Sequence, residues 1–190
     1  MLREKWLNTS DLRRAFEYAN ATGKGFSRIL FLCPKGSGKT TALFEIFLQT
    51  PDSVFLTPYG SHLNHLRQRA DRIEYGRGSN LKPMYDILPF TNTSPLGRGH
   101  RPISCVFIDD LDRCIHSFIA SYQHLVSNIT STNSSRRGIM ATMTPREDRN
   151  INYQGFFDYI KRPFSPDQDS SIDKKDFYRT DHFEGDLFKV

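Results

Sequence analysis

The chain has 190 residues, 25% of them charged and 37% hydrophobic, and a formal net charge of +5. That length suits one soluble α/β domain with its own core and is short for two. No uninterrupted apolar run approaches the roughly 20 residues that span a bilayer, and the charged first twenty residues lack the apolar stretch of a secretory signal.

In chain order, Ser10 and Asp11 can cap a short helix over residues 10–20, with Leu12, Phe16 and Ala19 on one face. Gly23-Lys24-Gly25 breaks it. Residues 29–33 are apolar on both faces, as a central parallel strand must be. A helix is expected over residues 40–48, a turn at Pro51-Asp52 and a second strand over 53–56. Residues 62–73 read as a helix with Leu63, Leu66 and Ala70 at helical spacing and arginines opposite. The stretch 76–101 is rich in Gly, Pro, Asn and Ser and reads as irregular, with a turn or short strand over 84–88. A third strand covers 103–108. A helix covers 114–129 with Ile115, Phe118, Ile119, Tyr122 and Val126 on one face, and a fourth strand covers 138–143. Beyond Pro145 the pattern weakens. Strands alternating with helices predict a three-layer α/β/α sandwich around a mostly parallel sheet, in a single domain. Its core spans about residues 26–146, between an N-terminal helix within 1–25 and a C-terminal extension over 147–190.

The strongest chemical signal is Cys33-Pro34-Lys35-Gly36-Ser37-Gly38-Lys39-Thr40-Thr41. A triphosphate needs closely spaced backbone N–H donors, a mobile cation and a hydroxyl for Mg²⁺. Gly36 and Gly38 let the backbone curl around phosphate. Lys39 is placed to reach the β- and γ-phosphates, Thr40 to ligate Mg²⁺, and the following helix to turn its positive end toward the anion. The candidate nucleotide-binding set is Pro34, Lys35, Gly36, Ser37, Gly38, Lys39, Thr40 and Thr41. The phosphate-loop pattern carries Gly where this chain has Cys33; the contacts expected of Gly38, Lys39 and Thr40 do not depend on that first glycine.

Cys105-Val106-Phe107-Ile108-Asp109-Asp110-Leu111-Asp112 is an apolar strand ending in carboxylates. It resembles the Walker B element, which implies Asp109 as the Mg²⁺-holding acid. Asp110 stands where many such ATPases carry a Glu that orients or deprotonates the attacking water. Asp112 is expected to cap the next helix or pair with Arg113. The order of these elements resembles the additional-strand ATPases, in which a later strand inserts between the strands bearing the phosphate loop and the acids. The end of that later strand senses the γ-phosphate. Ala141-Thr142-Met143-Thr144-Pro145 supplies two candidates, Thr142 and Thr144, of which Thr144 is the choice, giving Lys39, Asp110 and Thr144 as the catalytic set.

Taken with the Thr57-Pro58 turn, these motifs resemble the ATPase core of viral terminase large subunits and related helicase-like motors over roughly residues 28–146. The resemblance implies ATP and Mg²⁺ as cofactors, nucleic acid as partner (DNA before RNA), and a homo-oligomer completed by an arginine in trans. Arg113, Arg136, Arg137 and Arg146 are the candidates. With neither a secretory signal nor a membrane-spanning run in view, the expected location is the cytoplasm, or a host cytoplasm or nucleus for a viral source. About 45 residues follow Pro145, too few for a terminase nuclease domain, so a stand-alone ATPase is expected. Ile108-Asp109-Asp110-Leu111-Asp112-Arg113-Cys114 also resembles the KAP and STAND signalling ATPases, where nucleotide state is a switch. A small-molecule kinase is disfavoured because no Arg-rich lid stands out.

Other features stay open. His62 and His65 sit three apart on a helix without an evident third metal ligand. Arg67, Arg69, Arg72 and Arg77 can track a phosphate backbone, with Tyr75 stacking on a base, or can form a solvated face. Phe156, Phe157 and Tyr159 suit core packing. Residues 23–27 are suspects for the adenine pocket. Cys33, Cys105 and Cys114 cannot all pair within one chain, match no zinc spacing, and read as reduced structural thiols.

Overall fold

The computed structural model describes residues 25–33, 35–58, 60–84, 103–130, 136–144, 155–157 and 159–161. The expected helix over 10–20 and most of the C-terminal extension lie outside these residues. The chain is an α/β protein. Among the described residues, six strands, β1 (Gly25–Leu32), β2 (Ser53–Thr57), β3 (Leu81–Pro83), β4 (Cys105–Ile108), β5 (Arg136–Met143) and β6 (Tyr159–Lys161), form one sheet in the order β3-β2-β4-β5-β1-β6. Every neighbouring pair runs parallel.

Among the described residues, three helices cover the sheet: α1 (Lys39–Gln49), α2 (Gly60–Ile73) and α3 (Ile115–Thr130). Successive side chains of a strand point to opposite faces, and the strands divide accordingly. Leu30, Leu32, Val54, Leu56, Val106, Ile108, Ile139, Ala141 and Met143 pack in one cluster with Ile115, Phe118, Leu125 and Ile129 of α3. Ile29, Phe31, Phe55, Phe107 and Met140 pack in another with α1 and α2. Helices on both faces explain why these strands lack polar alternation.

On α2, the buried residues are Leu63, Leu66 and Ala70, the stripe its spacing predicts. On α3 the stripe differs from expectation: Ile119 is 40% exposed, while Leu125 and Ile129 are buried. The buried set is 115, 118, 125 and 129, with the partly buried Tyr122 between them, which follows the 3.6-residue repeat; Ile119 lies a full 100° off Phe118. Phe157 stacks on Phe118 at 5.5 Å, and Phe156 meets Tyr122 edge-on at 4.9 Å, so both serve core packing.

Beyond α2, the expected irregular stretch contains a 3-10 turn (Arg77–Asn80) and then β3. Arg77 is buried. Its Nη2 donates to Phe47 O (2.6 Å), Thr50 O (2.5 Å) and Ser53 Oγ (2.9 Å), and its guanidinium lies 4.2 Å from the Phe47 ring centroid. Arg77 thus satisfies carbonyls at the C-terminal end of α1, where a cation is favoured, although burial pulls its pKa down. Arg77→Met should cost about 2–4 kcal/mol, because the carbonyls lose their donor without gaining water. Denaturant unfolding checks this.

Candidate functional site

In a parallel sheet all carboxyl ends share one edge, where ligands of open α/β proteins bind. Here that edge gathers the loop after β1, the acids after β4 and the end of β5. Cys33 is fully buried, and its N–H donates to Met143 O (2.8 Å), locking the exit of β1 to that of β5. Left-handed backbone at non-glycine positions, among the described residues, is confined to Asp52 and Asp110. Cys33, where the phosphate-loop pattern carries glycine, is therefore free of that strain.

The loop turns on two left-handed glycines, Gly36 (φ +80°) and Gly38 (φ +83°). A Cβ on Gly36 would meet nothing within 4 Å, so conformation rather than crowding demands glycine there, and that side of the loop is open. Gly38 precedes the first residue of α1 and makes no side-chain cap, leaving the helix start without one. Bare helix starts and left-handed glycine turns suit an anion. Lys35, Gly36 and Thr41 are exposed, Thr40 is half-buried, and Ser37 is buried with its Oγ lacking a hydrogen-bond partner. Pro34 lies outside the described residues.

Residues far apart in sequence meet beside this loop. Thr40 Oγ1 donates to Asp109 Oδ2 at 2.8 Å. Thr142 Oγ1 donates to Asp109 Oδ1 at 2.9 Å and accepts from the Asp110 N–H at 3.3 Å. Lys39 Nζ stands 3.0 Å from Asp110 Oδ1. Asp109 is 1% exposed. Burial is the main reason its carboxyl is pushed up to about 6, with the Asp110 charge adding to it and the Thr40 and Thr142 hydroxyls and Lys39 opposing. Asp110 adopts φ 46°, ψ 52°, a conformation Asp tolerates better than most residues.

Thr144, the sequence choice, donates its backbone N–H to Asp112 Oδ1 at 3.4 Å; of the two threonines at the end of β5, Thr142 is the one hydrogen-bonded to Asp109 and Asp110. Strand register is the signal that finds it. Ile108 pairs with Ala141, so the next step sets Asp109 beside Thr142, on the face shared by Phe107 and Met140.

The basic run disperses. Arg67 donates through Nε and Nη2 to Leu81 O (3.1 and 2.9 Å), Arg69 lies 5.4 Å from the Phe44 ring centroid, and Arg77 is buried; Arg72 and Tyr75 are exposed. Arg113 is exposed, whereas the side chains of Arg136 and Arg137, and all of Arg146, lie outside the described residues. His62 and His65 gain no third ligand: no group of three or more His, Cys, Asp or Glu among the described residues is disposed to hold a metal. Of the adenine-pocket suspects, residues 23 and 24 lie outside the described residues, and 25–27 are not at the edge that carries the glycine loop. Gly25 begins β1, eight residues before Cys33, roughly 25 Å away at strand rise. All three cysteines are free and buried, and burial pushes the Cys33 and Cys114 thiols up to about 12, which keeps them protonated.

No protein-family model matches the chain, and no curated protein matches it. No helix among the described residues is long and apolar enough to cross a membrane.

Proposed function

We propose that this chain is a Mg²⁺-dependent ATPase of the P-loop, three-layer α/β/α type, working in a nucleic-acid-associated, terminase- or helicase-like motor. The observation that carries the reading is the 2.8 Å contact between Thr40 Oγ1 and Asp109 Oδ2, two groups separated by 69 positions yet adjacent at the carboxyl edge of a parallel sheet. The place of β5 between β1 and β4 supports the additional-strand division. The Thr57-Pro58 turn at the same edge supports the motor over the switch.

The donor set fits a hard cation. A hydroxyl and a carboxylate stand side by side without a surrounding cage, which suits Mg²⁺, an ion that keeps waters and takes phosphate oxygens. Thr40 and Asp109 would hold it, and when bound it neutralises charge on the phosphates. The chain's own residues do the rest. Backbone amides of the loop and Lys39 hold the triphosphate. Asp110 orients the attacking water and takes its proton. In the free protein Lys39 is paired with Asp110; a phosphate that draws Lys39 away releases the carboxylate for this role.

Asp110→Asn is expected to bind ADP at least as tightly as the unmodified protein, because Lys39 loses its internal competitor. Turnover should fall about 100-fold or more. Titration with a fluorescent ADP analogue and a phosphate-release assay separate the two effects. The reading itself is tested by ATP hydrolysis with Mg²⁺ or with chelator, and with and without single- and double-stranded DNA over a salt series. Absence of Mg²⁺-dependent hydrolysis refutes the ATPase. Hydrolysis indifferent to nucleic acid removes the motor in favour of the switch, since phosphate contacts make stimulation steeply salt-dependent.

A further inference from the structure

We infer that Thr142 is a positioning residue that sets the geometry of both acids without touching nucleotide, an inference that rests on the ATPase reading above. A threonine hydroxyl has one proton to donate and lone pairs to accept. Thr142 donates to Asp109 Oδ1 at 2.9 Å and accepts from the Asp110 N–H at 3.3 Å, so one hydroxyl ties the two consecutive acids together. Its relative exposure is 0%, which leaves no surface for a phosphate to contact. Its hydroxyl is thus placed to hold the two acids rather than to meet phosphate, the role expected of a polar residue at this strand end.

Each bond fixes something the reaction needs. Asp109 has two carboxylate oxygens. With Oδ1 held by Thr142, Oδ2 is turned to Thr40, the other group expected to hold Mg²⁺. The second bond anchors the left-handed backbone of Asp110, from which its carboxylate reaches Lys39. Thr142 itself sits in the sheet, paired in register with Phe31 of β1. It transmits the rigidity of two central strands to Asp109 and to Asp110, the residue that leads into the short 3-10 turn Leu111–Arg113.

The experiment compares Thr142→Val, which keeps the shape and removes the hydroxyl, with Thr142→Ser, which keeps the hydroxyl. For each, turnover, the Mg²⁺ concentration at half-maximal rate, and ADP affinity in chelator are measured. The expected result for Thr142→Val is a turnover about 10–100-fold lower and a Mg²⁺ midpoint shifted up by about 10-fold. Metal-free ADP affinity should stay within about twofold, since only the acids are disturbed. Thr142→Ser should retain turnover within about threefold of the unmodified protein. Three outcomes overturn the inference: Val retaining turnover, Ser falling as far as Val, or ADP affinity collapsing in parallel with rate as a general loss of structure would cause. If the unmodified protein hydrolyses no ATP, the ATPase reading fails and this inference fails with it; hydrolysis that survives in Thr142→Val removes only the role of Thr142.

Discussion

Lys39→Ala is expected to abolish ATP turnover and to weaken ATP binding beyond ready measurement, a loss of about 100–1,000-fold or more. The size of the effect follows from where the lysine sits. It opens α1, directly after the second left-handed glycine, and is only 7% exposed. Its ammonium is thus held at the mouth of the loop by its own helix. The group it now neutralises, Asp110, is adjacent in sequence to a second carboxylate, Asp109, whose charge is already disfavoured by burial. Truncation to alanine leaves both acids facing an incoming polyanion with no cation between them. Repulsion then adds to the lost attraction, and the combined penalty exceeds that of a solvent-exposed phosphate ligand. The double variant Lys39→Ala/Asp110→Asn separates these contributions. It should regain part of the lost ADP affinity and none of the turnover. Unchanged hydrolysis in Lys39→Ala removes the lysine from the site.

How far these groups could be seen beforehand depends on whether local pattern or tertiary register sets them. The strands of residues 29–33, 53–56, 103–108 and 138–143 are legible because a parallel strand covered on both faces must be apolar at most positions, polar ones such as Ser53, Ser104 and Thr142 being the exceptions. The structure keeps all four within a few residues. The loop was legible because left-handed turns leave their mark as glycine, and Gly36 and Gly38 carry it. By contrast, β3 is three residues long and owes its existence to pairing with Phe55–Thr57, which no local pattern announces. The true start of β1 at Gly25 depends likewise on its pairing with β5, and glycines there read as a break. Thr142 and Thr144 look equivalent in sequence; only the Ile108–Ala141 pairing distinguishes them. Arg77 reads as one more member of a basic run. Its guanidinium lies beneath the end of α1 because the turn after α2 folds back onto it, with the Gly78 N–H held by Asp71 Oδ1 at 2.7 Å. A Cβ at Gly78 would come within 2.8 Å of Arg67 O, so that close return requires glycine.

Asp109→Asn is expected to make the nucleotide-free protein more stable while destroying its Mg²⁺-dependent activity. Burial chiefly, and then the neighbouring Asp110 charge, push the Asp109 carboxyl from 3.8 to about 6. The native state therefore holds this proton more tightly than the unfolded chain. Below about pH 4 both states are protonated, and Asp109 carries no penalty. As pH rises from about 4 to about 6, the unfolded chain releases the proton first, so stability falls through that window. Above it both states are ionised, and the penalty stays constant at roughly 3 kcal/mol for a two-unit shift. Asparagine keeps the shape and removes the charge. Its carbonyl can accept from Thr142 Oγ1 and its amide can donate to Thr40 Oγ1, so both present partners stay paired. Unfolding curves of the two proteins should coincide near pH 4 and separate to as much as about 3 kcal/mol above pH 6, with the variant the more stable. Turnover should fall by about 100-fold or more, and added Mg²⁺ should no longer strengthen nucleotide binding. A variant less stable than the parent at neutral pH would mean that burying this carboxylate costs nothing. Turnover that survives would take Asp109 out of any metal-holding role. A gain in stability joined to a loss of activity requires that the fold tolerate an unfavourable charge at this position for the sake of what it binds.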